Sequence, residues 1–507
     1  MMGKRMGQKP AKRWAAGVRL VGRVVVDALV IIGAFLIGAS IWITQHFGVI
    51  TIDQAIINLQ GAGGEGGGGT ALVVNGVVWG ALIPIALAVL LLLAIRRTRA
   101  SNWRKSLPRL ARTGVSAVVV LLLAGIPVAG ATTISHTLSL PQYVESLNAD
   151  ETLSDYYVTP TVVSEPSTKR NLVIVYMESV EESLTDTSIF EEDMLAPIEK
   201  VTKGWASVTL DQPANGPMTI GGIVNTQCGF PLRMANTDLV GNNINVAGQG
   251  VATYLPNATC LGDVLKKYGY YSVFMGGANT DFAGKGTFLS DHGYSEVLGL
   301  NYWKEQGETE MRSDWGLSDR RLMELAEQKV DELHAKNQPF NLTLLTLDTH
   351  PDDTVYPYCD VTTKQELTSI YRCSMDQVAS FVTYMKDKGY LDDTVVVVMG
   401  DHIRIMDSNN TFKSQLEGIS HRTIFNRIWS PDGVDLAVDE MAQFGMYPTI
   451  LETLGFKLKD GRAGIDVSAL EAYPGSGTVR DLSQDEYDAV VLARSQDFYN
   501  RVWGVTK

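Results

Sequence analysis

The sequence predicts two differently built parts: three N-terminal transmembrane helices, then an α/β domain on a mostly parallel central sheet. Three observations point there. Charge is split, because residues 1–135 carry fourteen Lys/Arg against only Asp27, Asp53 and Glu65, whereas 136–507 carry 29 basic and 53 acidic residues. Three long apolar stretches, 24–44, 71–95 and 114–135, fall in the basic part. Four continuous apolar runs, NLVIVYM (171–177), YSVFMGG (271–277), FNLTLLTL (340–347) and TVVVVMG (394–400), alternate with helix-like segments in the acidic part. At 507 residues the chain exceeds one ordinary domain of about 100–200 residues. Its net charge of −13 excludes a general nucleic-acid binder, which needs a basic surface.

Each apolar stretch of the basic part reaches the roughly 20 residues that cross a bilayer as a helix. The first is longer than the apolar core of a cleaved signal peptide, about 7–15 residues, and two more follow, so it reads as a retained span. Seven Lys/Arg precede it and seven more lie between the second and third spans, whereas 45–70 has none. The positive-inside rule then places the N-terminus in the cytoplasm and everything after His136 outside a bacterial cell membrane. The Gly-rich run 61–69 reads as a flexible outer loop without chemistry. The boundaries expected are an anchor over 1–136, a polar linker over 137–170 containing Pro141, Pro160 and Pro166, and an extracytoplasmic domain over 171–507.

The four apolar runs suit strands buried on both faces of a parallel sheet. Helices are expected over 257–268, stopped by Gly269, and over 313–336. Cys228, Cys260, Cys359 and Cys373 all lie in the outer part. An even count in an oxidising compartment favours two disulfides, Cys228–Cys260 and Cys359–Cys373 as nearest in sequence. No C-x-x-C spacing supports a four-cysteine metal site.

Ligands in open α/β sheets bind outside the carboxyl ends of the strands. The first strand there runs into Glu178, the third into Asp348-Thr349-His350, and the fourth into Asp401-His402. Glu178, Asp401 and His402 are oxygen and nitrogen ligands suited to a divalent cation. Singly, each has a plainer reading as a helix cap or surface residue; three strand ends together favour the metal. In PANGPMTIGGIVNTQCGFP (213–231), Thr219 precedes Gly221-Gly222, which would leave phosphate room to approach. On spacing alone an ordinary Gly-rich turn into a helix accounts better for this segment, since a threonine hydroxyl needs a metal or base to become nucleophilic.

NLVIVYMESVE, MTIGGIVNTQCGFPL, CLGDVLKKYGY, GGANTDFAGKGTFLSDHGY, WGLSD, LLTLDTH and VVVVMGDH follow one another over 171–402. In these motifs the chain resembles the membrane-bound phosphoglycerol transferases that decorate periplasmic glucans, and their relative lipoteichoic acid synthase. The resemblance implies the alkaline-phosphatase/sulfatase α/β fold. It implies metal ligation by Glu178, Asp401 and His402, with Thr219 as the nucleophile that also touches the metal, and His350 beside the substrate phosphate. Where the synthase has Phe-Trp-Asn-Arg holding phosphoglycerol, this chain has Phe282-Ala283-Gly284-Lys285. Lys285 would meet phosphate as a point charge without the bidentate fork of arginine. Trp315 and Asp319 of WGLSD could line the cleft, or belong to a helix start capped by Ser313 or Asp314. His421-Arg422 reads as an exposed strand end, and His292 and His334 as surface residues.

The activity implied is metal-dependent transfer of glycerophosphate from phosphatidylglycerol, through a covalent intermediate on Thr219, to a hydroxyl of an extracytoplasmic glycan or glycerophosphate polymer. Manganese is the foremost metal, with magnesium and zinc also compatible; the bilayer is the remaining partner. Three competitors stand beside it. A sulfatase would need a C/S-x-P-x-R motif, absent around Thr219. A phosphoethanolamine transferase would use the same threonine and metal. A non-catalytic glycan-binding protein on the same fold would not need Glu178, Thr219, Asp401 and His402 together.

Overall fold

The computed structural model describes residues 9–47, 74–101, 106–141, 144, 152–213, 218–233, 253–312, 315–351, 353–406, 410–470 and 477–505. The chain divides into two compact units, one holding most of the residues before Pro141 and the other running from Gln142 to Lys507.

The first unit is three helices, each long and apolar enough to cross a membrane. They are α1 (Lys9–Phe47), α2 (Ile83–Ala100, entered through π-helical turns over Gly76–Leu82) and α3 (Arg109–Thr137). Both α1 and α3 start well before the apolar stretches read from sequence, because Lys, Arg and Ala are good helix formers and helix hydrogen bonding ignores the apolar boundary. Residues 71–73 and the Gly-rich run 61–69 lie outside the described residues. Pro84 lacks the N–H that would close a regular turn onto Gly80, and the helix widens just there. α1 and α3 meet backbone to backbone, since a Cβ on Gly130 would fall 2.4 Å from the Gly33 carbonyl oxygen. Asp27, the lone acid of the first stretch, pairs with Arg96 of α2. Sequence reading gave it no partner, although an unpaired carboxylate at that depth is costly.

The second unit is built on a six-stranded sheet: β1 (Asn171–Met177), β2 (Tyr271–Gly276), β3 (Tyr294–Leu298), β4 (Phe340–Leu345), β5 (Thr394–Gly400) and β6 (Asn426–Trp429). Spatial order is β6-β5-β1-β4-β2-β3, and only β6 is antiparallel to its neighbour. Alternation along β1 shows why its apolar run is continuous. Leu172, Ile174 and Tyr176 enter one core with α4 (Thr219–Cys228), α5 (Leu261–Lys267) and α9 (Met446–Thr453). Val173, Val175 and Met177 enter a second core with α7 (Asp319–Ala335) and α8 (Glu366–Asp387). A strand covered on both faces has no solvent side on which to place polar residues.

Two helix starts differ from the sequence reading, each because of a cap. α7 begins at Asp319, where the Ser318 hydroxyl accepts from the Arg321 amide at 3.3 Å; Ser313 and Asp314 lie outside the described residues. α5 begins after Cys260, whose amide donates to Asp263 at 2.9 Å. Cys228 pairs with Cys260 and Cys359 with Cys373, closing loops of 32 and 14 residues, each worth about 3–4 kcal/mol of unfolded-state entropy. Within the stretch expected as a linker, Leu153–Tyr156 forms a helical turn and Val162–Ser164 pairs with Lys457–Leu458.

Candidate active site

Register builds the site. Met177 of β1 is paired with Gly400 of β5, so the next residues, Glu178 and Asp401, leave the sheet side by side. β4 flanks β1 on its other side, and its continuation clamps Glu178: the Glu178 amide donates to Thr346 Oγ1 at 2.8 Å, and Thr349 Oγ1 donates to the Glu178 carbonyl at 2.6 Å. Ser179 has φ +56°, a left-handed conformation costly for serine. It is held there because its amide donates to Asp401 Oδ1 at 2.9 Å and its hydroxyl to Glu178 Oε1 at 2.7 Å.

Glu178, Asp401 and His402 present ligand atoms within 4.8 Å of one another, and all three are buried. Asp401 Oδ1 takes a second amide, from His402 at 2.8 Å, while Oδ2 is buried without a hydrogen-bond partner. His402 Nδ1 lies 2.8 Å from the Ile403 carbonyl and therefore carries the proton, leaving the Nε2 lone pair towards the carboxylates. That nitrogen is 3.7 Å from Glu178 Oε1 and 3.6 Å from Asp401 Oδ2. Acceptors facing acceptors in a buried space fit a divalent cation bound by two carboxylates and one imidazole.

The electrostatics agree. Burial, then the neighbouring Glu178 charge, pushes Asp401 up to about 7. Burial also works against ionised Glu178, but His402, His350 and the Ser179 hydroxyl outweigh it and hold the group at about 2. Burial lowers His402, and the two carboxylates more than reverse this, so it is raised. Two adjacent acids have been driven apart in proton affinity, which is what a shared site does when their like charges are uncompensated.

Thr219 is the first residue of α4, half-buried, and its Oγ1 donates to Glu178 Oε2 at 3.2 Å. Gly222 fits the plainer reading of this segment, a Gly-rich turn into a helix. A Cβ there would fall 2.0 Å from the Asp401 carbonyl oxygen, so its smallness lets α4 pack against the end of β5. The Gln443 side-chain amide donates to that same carbonyl at 2.8 Å.

The remaining residues singled out from sequence form a rim. Phe282 meets Trp315 edge-on at 5.5 Å between ring centres, and Trp315 lies 4.1 Å from the His350 ring. His350 is lowered by burial, partly countered by Glu178. Lys285 follows Ala283 and Gly284, both left-handed, at the start of α6 (Lys285–Asp291). The residue is 5% exposed, and its ammonium is 5.9 Å from the Phe274 ring centre. Burial lowers it to about 8, against the attraction of Glu178 and Asp401.

Other readings need correction. Asp319 does not line the cleft: its carboxylate is buried under the amides of Leu347 (2.6 Å) and Asp348 (3.2 Å) and fixes the segment leading to His350. His292 is buried between Asp263 (2.6 Å) and the Tyr254 carbonyl (3.0 Å), and His334 stacks on Tyr390 at 3.7 Å. His421 is exposed beside Asp211, but Arg422 turns inward to pair with buried Glu181. Two buried arginines escaped sequence reading. Arg312 donates to the carbonyls of His350 (3.0 Å) and Pro351 (2.7 Å), and Arg404 to Thr349 (2.8 Å), so both brace the loop that presents His350. Only the position of Arg404, two residues after His402, could have drawn attention to it.

The Sulfatase family model matches residues 170–455, more than half of the chain. The chain belongs to the sulfatase family. Its match to phosphoglycerol transferase I of Escherichia coli O6:K15:H31 (strain 536 / UPEC) is 32% identical over 291 residues, covering 55% of this chain and 36% of the relative. The figures are the same for phosphoglycerol transferase I of Shigella boydii serotype 18. The match thus spans about a third of the length of these curated relatives. Among solved structures, the lipoteichoic acid synthase LtaP from Listeria monocytogenes is similar at 18% identity and a TM-score of 0.47, covering 67% of this chain and 96% of that one. The C-terminal periplasmic domain of EptC from Escherichia coli, in complex with Zn, is similar at 14% identity and a TM-score of 0.44, covering 63% and 92%.

Proposed function

We propose that this protein is a membrane-anchored transferase that moves glycerophosphate from phosphatidylglycerol to a hydroxyl of an extracytoplasmic glycan or glycerophosphate polymer. The observation behind this reading is a single one: a threonine hydroxyl, at a helix start, hydrogen-bonded to one carboxylate of a buried Glu-Asp-His cluster. The likeness to phosphoglycerol transferase I supports the choice of group transferred.

Glu178, Asp401 and His402, with Thr219 adjoining, would hold a divalent cation, manganese foremost and magnesium or zinc also suited to the donor set. Bound there, such a cation supplies Lewis-acid polarisation and lowers the pKa of a nearby hydroxyl. The chain's own residues do the rest. Thr219 Oγ1 gives up its proton and attacks the phosphorus of phosphatidylglycerol, the bond from phosphorus to the diacylglycerol oxygen breaks, that oxygen takes up a proton so that diacylglycerol leaves as the free alcohol, and glycerophosphate is left on Thr219. The amide end of α4 and the Lys285 ammonium offset charge on the phosphoryl oxygens. His350, braced by Arg312 and packed on Trp315, stands where it can hold a phosphate oxygen or the leaving oxygen. In the second step the acceptor hydroxyl attacks the same phosphorus, gives up its proton, and Thr219 leaves as the free hydroxyl. Phe282 and Trp315 form an apolar wall against which a glycerol or sugar carbon face can lie.

The test is release of diacylglycerol by purified full-length protein with manganese. Release from phosphatidylglycerol and none from phosphatidylethanolamine is the expected result. Release from the ethanolamine lipid alone would make the protein a phosphoethanolamine transferase.

A further inference from the structure

Ser179 ends the first strand of the site in a conformation that serine does not favour. At φ +56° it lies in the left-handed region, where a Cβ crowds the backbone and glycine carries no penalty. A residue needed only to bend the chain after β1 would therefore be better as glycine. Left-handed residues other than glycine persist where their surroundings hold them from several sides, and they gather at functional sites.

Every hydrogen-bonding group of Ser179 is engaged on or beside the acid cluster. Its amide donates to Asp401 Oδ1 at 2.9 Å and its hydroxyl to Glu178 Oε1 at 2.7 Å. Its carbonyl accepts from the Tyr371 hydroxyl of α8 at 2.9 Å. That hydroxyl in turn accepts from Nη1 of Arg404 at 3.1 Å. Ser179, Tyr371 and Arg404 are each at most 2% exposed. Ser179 thus has no surface on which to meet a substrate, and what it does for the site it does through its neighbours.

A carboxylate turns easily about its last single bond, because torsions that end in a planar group have broad, two-fold wells. Left alone, Glu178 and Asp401 could each turn either oxygen towards His402 and Thr219. Ser179 restrains both, one through its hydroxyl and the other through its amide. With Oε1 of Glu178 held by that hydroxyl, Oε2 is the oxygen that accepts from Thr219 Oγ1, at 3.2 Å. With Oδ1 of Asp401 held by the amides of Ser179 and His402, Oδ2 is left 3.6 Å from Nε2 of His402. We infer that Ser179 is the positioning residue of this site: it sets the planes of the Glu178 and Asp401 carboxylates and, through Glu178, the place of the Thr219 hydroxyl. The site uses its hydroxyl rather than its bend. The inference concerns how the chain presents its ligand atoms to a divalent cation; only the turnover arm of its test rests on the function proposed above.

The experiment compares full-length Ser179→Gly and Ser179→Ala with the native protein. Both variants lose the hydroxyl and keep the amide; glycine also relieves the left-handed strain, which alanine keeps. Without metal, Ser179→Gly should therefore melt at a higher temperature than Ser179→Ala. Manganese dissociation constants, read by competition with a fluorescent chelator, should nevertheless rise alike in both, by about tenfold to a hundredfold, as when a group that orients a metal ligand is removed. At saturating manganese, kcat for diacylglycerol release should fall by about tenfold or more in both, with KM for phosphatidylglycerol unchanged. A role limited to the bend predicts a different order, with the better-folded Ser179→Gly binding manganese as the native protein does. A native dissociation constant in Ser179→Gly, or a loss confined to Ser179→Ala, would overturn the inference. Manganese binding by the native protein without release of diacylglycerol would remove the transferase reading, and the dissociation constants would still decide the role of Ser179. A native protein that binds none of manganese, magnesium and zinc would overturn both.

Discussion

Nε2 of His402 stands 3.6 Å from Oδ2 of Asp401, a buried carboxylate oxygen that accepts no hydrogen bond. The other imidazole nitrogen is committed to the Ile403 carbonyl and the other carboxylate oxygen to two backbone amides. What remains is an Nε2 set between two carboxylates, which raise His402 where no metal is bound. A divalent cation there would take that proton's place, with a measurable consequence.

Asp401→Asn keeps the shape and removes one charge. Manganese added to the native protein should raise its melting temperature, as binding at about 100 times Kd contributes near 2.7 kcal/mol. In Asp401→Asn that rise should vanish and turnover should fall by more than about a thousandfold. The metal-free variant should be no less stable than the metal-free native protein, because the burial cost of the carboxylate, and with it the Glu178 repulsion, which together lift Asp401 to about 7, are gone. Differential scanning fluorimetry with and without chelator reads both. An undiminished metal shift in the variant would remove Asp401 from the ligand set.

Lys285 is read as a phosphate-facing ammonium, and it works only when protonated. Burial sets its pKa near 8, so turnover should decline as pH rises through about 8. Lys285→Arg should abolish that alkaline decline, because arginine stays charged. Lys285→Gln should lower kcat/KM by about a hundredfold or more at pH 7 with metal content unchanged. A pH–rate profile of Lys285→Arg identical to the native one would assign the decline to another group.

Asp319 and Asp348 form a buried acid pair under the His350 loop. Burial first, and then in Asp348 the Asp319 charge, raises both: Asp319 to about 6, Asp348 well above its ordinary value. The folded protein thus binds more protons than the unfolded chain between about pH 4 and 6. Stability should therefore fall as pH rises through that window, by something on the order of 2–3 kcal/mol. Asp348→Asn, which can still accept from the Asp319 amide, should reduce the fall to the share that Asp319 carries in urea titrations at pH 4.5 and 7. An equal fall in the variant would place the titration elsewhere.

Orientation is open to a direct reading. Reporters fused after Ile95 and after Ser135 should signal cytoplasmic and extracytoplasmic locations respectively, because the positive-inside rule assigns the basic run from Arg96 to Arg112 to the cytoplasm. Reversed signals would take the domain away from any outer-leaflet lipid.

Much of this was legible in the chain for a physical reason. β1 and β5 carry no polar residue but their first, Asn171 and Thr394, and the Tyr176 hydroxyl, because both faces are covered, so the first acid after each run, Glu178 and Asp401, marks a sheet edge. Thr219 was harder, since a Gly-rich turn looks the same whether it admits phosphate or, as Gly222 shows, a neighbouring carbonyl. The Asp27–Arg96 pair, the burial of His292 and the bracing by Arg312 and Arg404 were not legible. Each depends on which distant segments meet, and a single buried charge in sequence looks like a solvated one. Helix starts failed locally: Ser318 won over Ser313 and Asp314 as the cap, and Asp263 set the start after Cys260.

The central claim is a covalent intermediate on Thr219. Full-length protein, manganese and phosphatidylglycerol labelled in its head group, quenched without acceptor and mapped by peptide mass spectrometry, tests it most directly. The account predicts one glycerophosphate on the peptide containing Thr219, absent from Thr219→Ala, with diacylglycerol released in equal amount. Release of diacylglycerol at the native rate by Thr219→Ala, or label on another side chain, would contradict it.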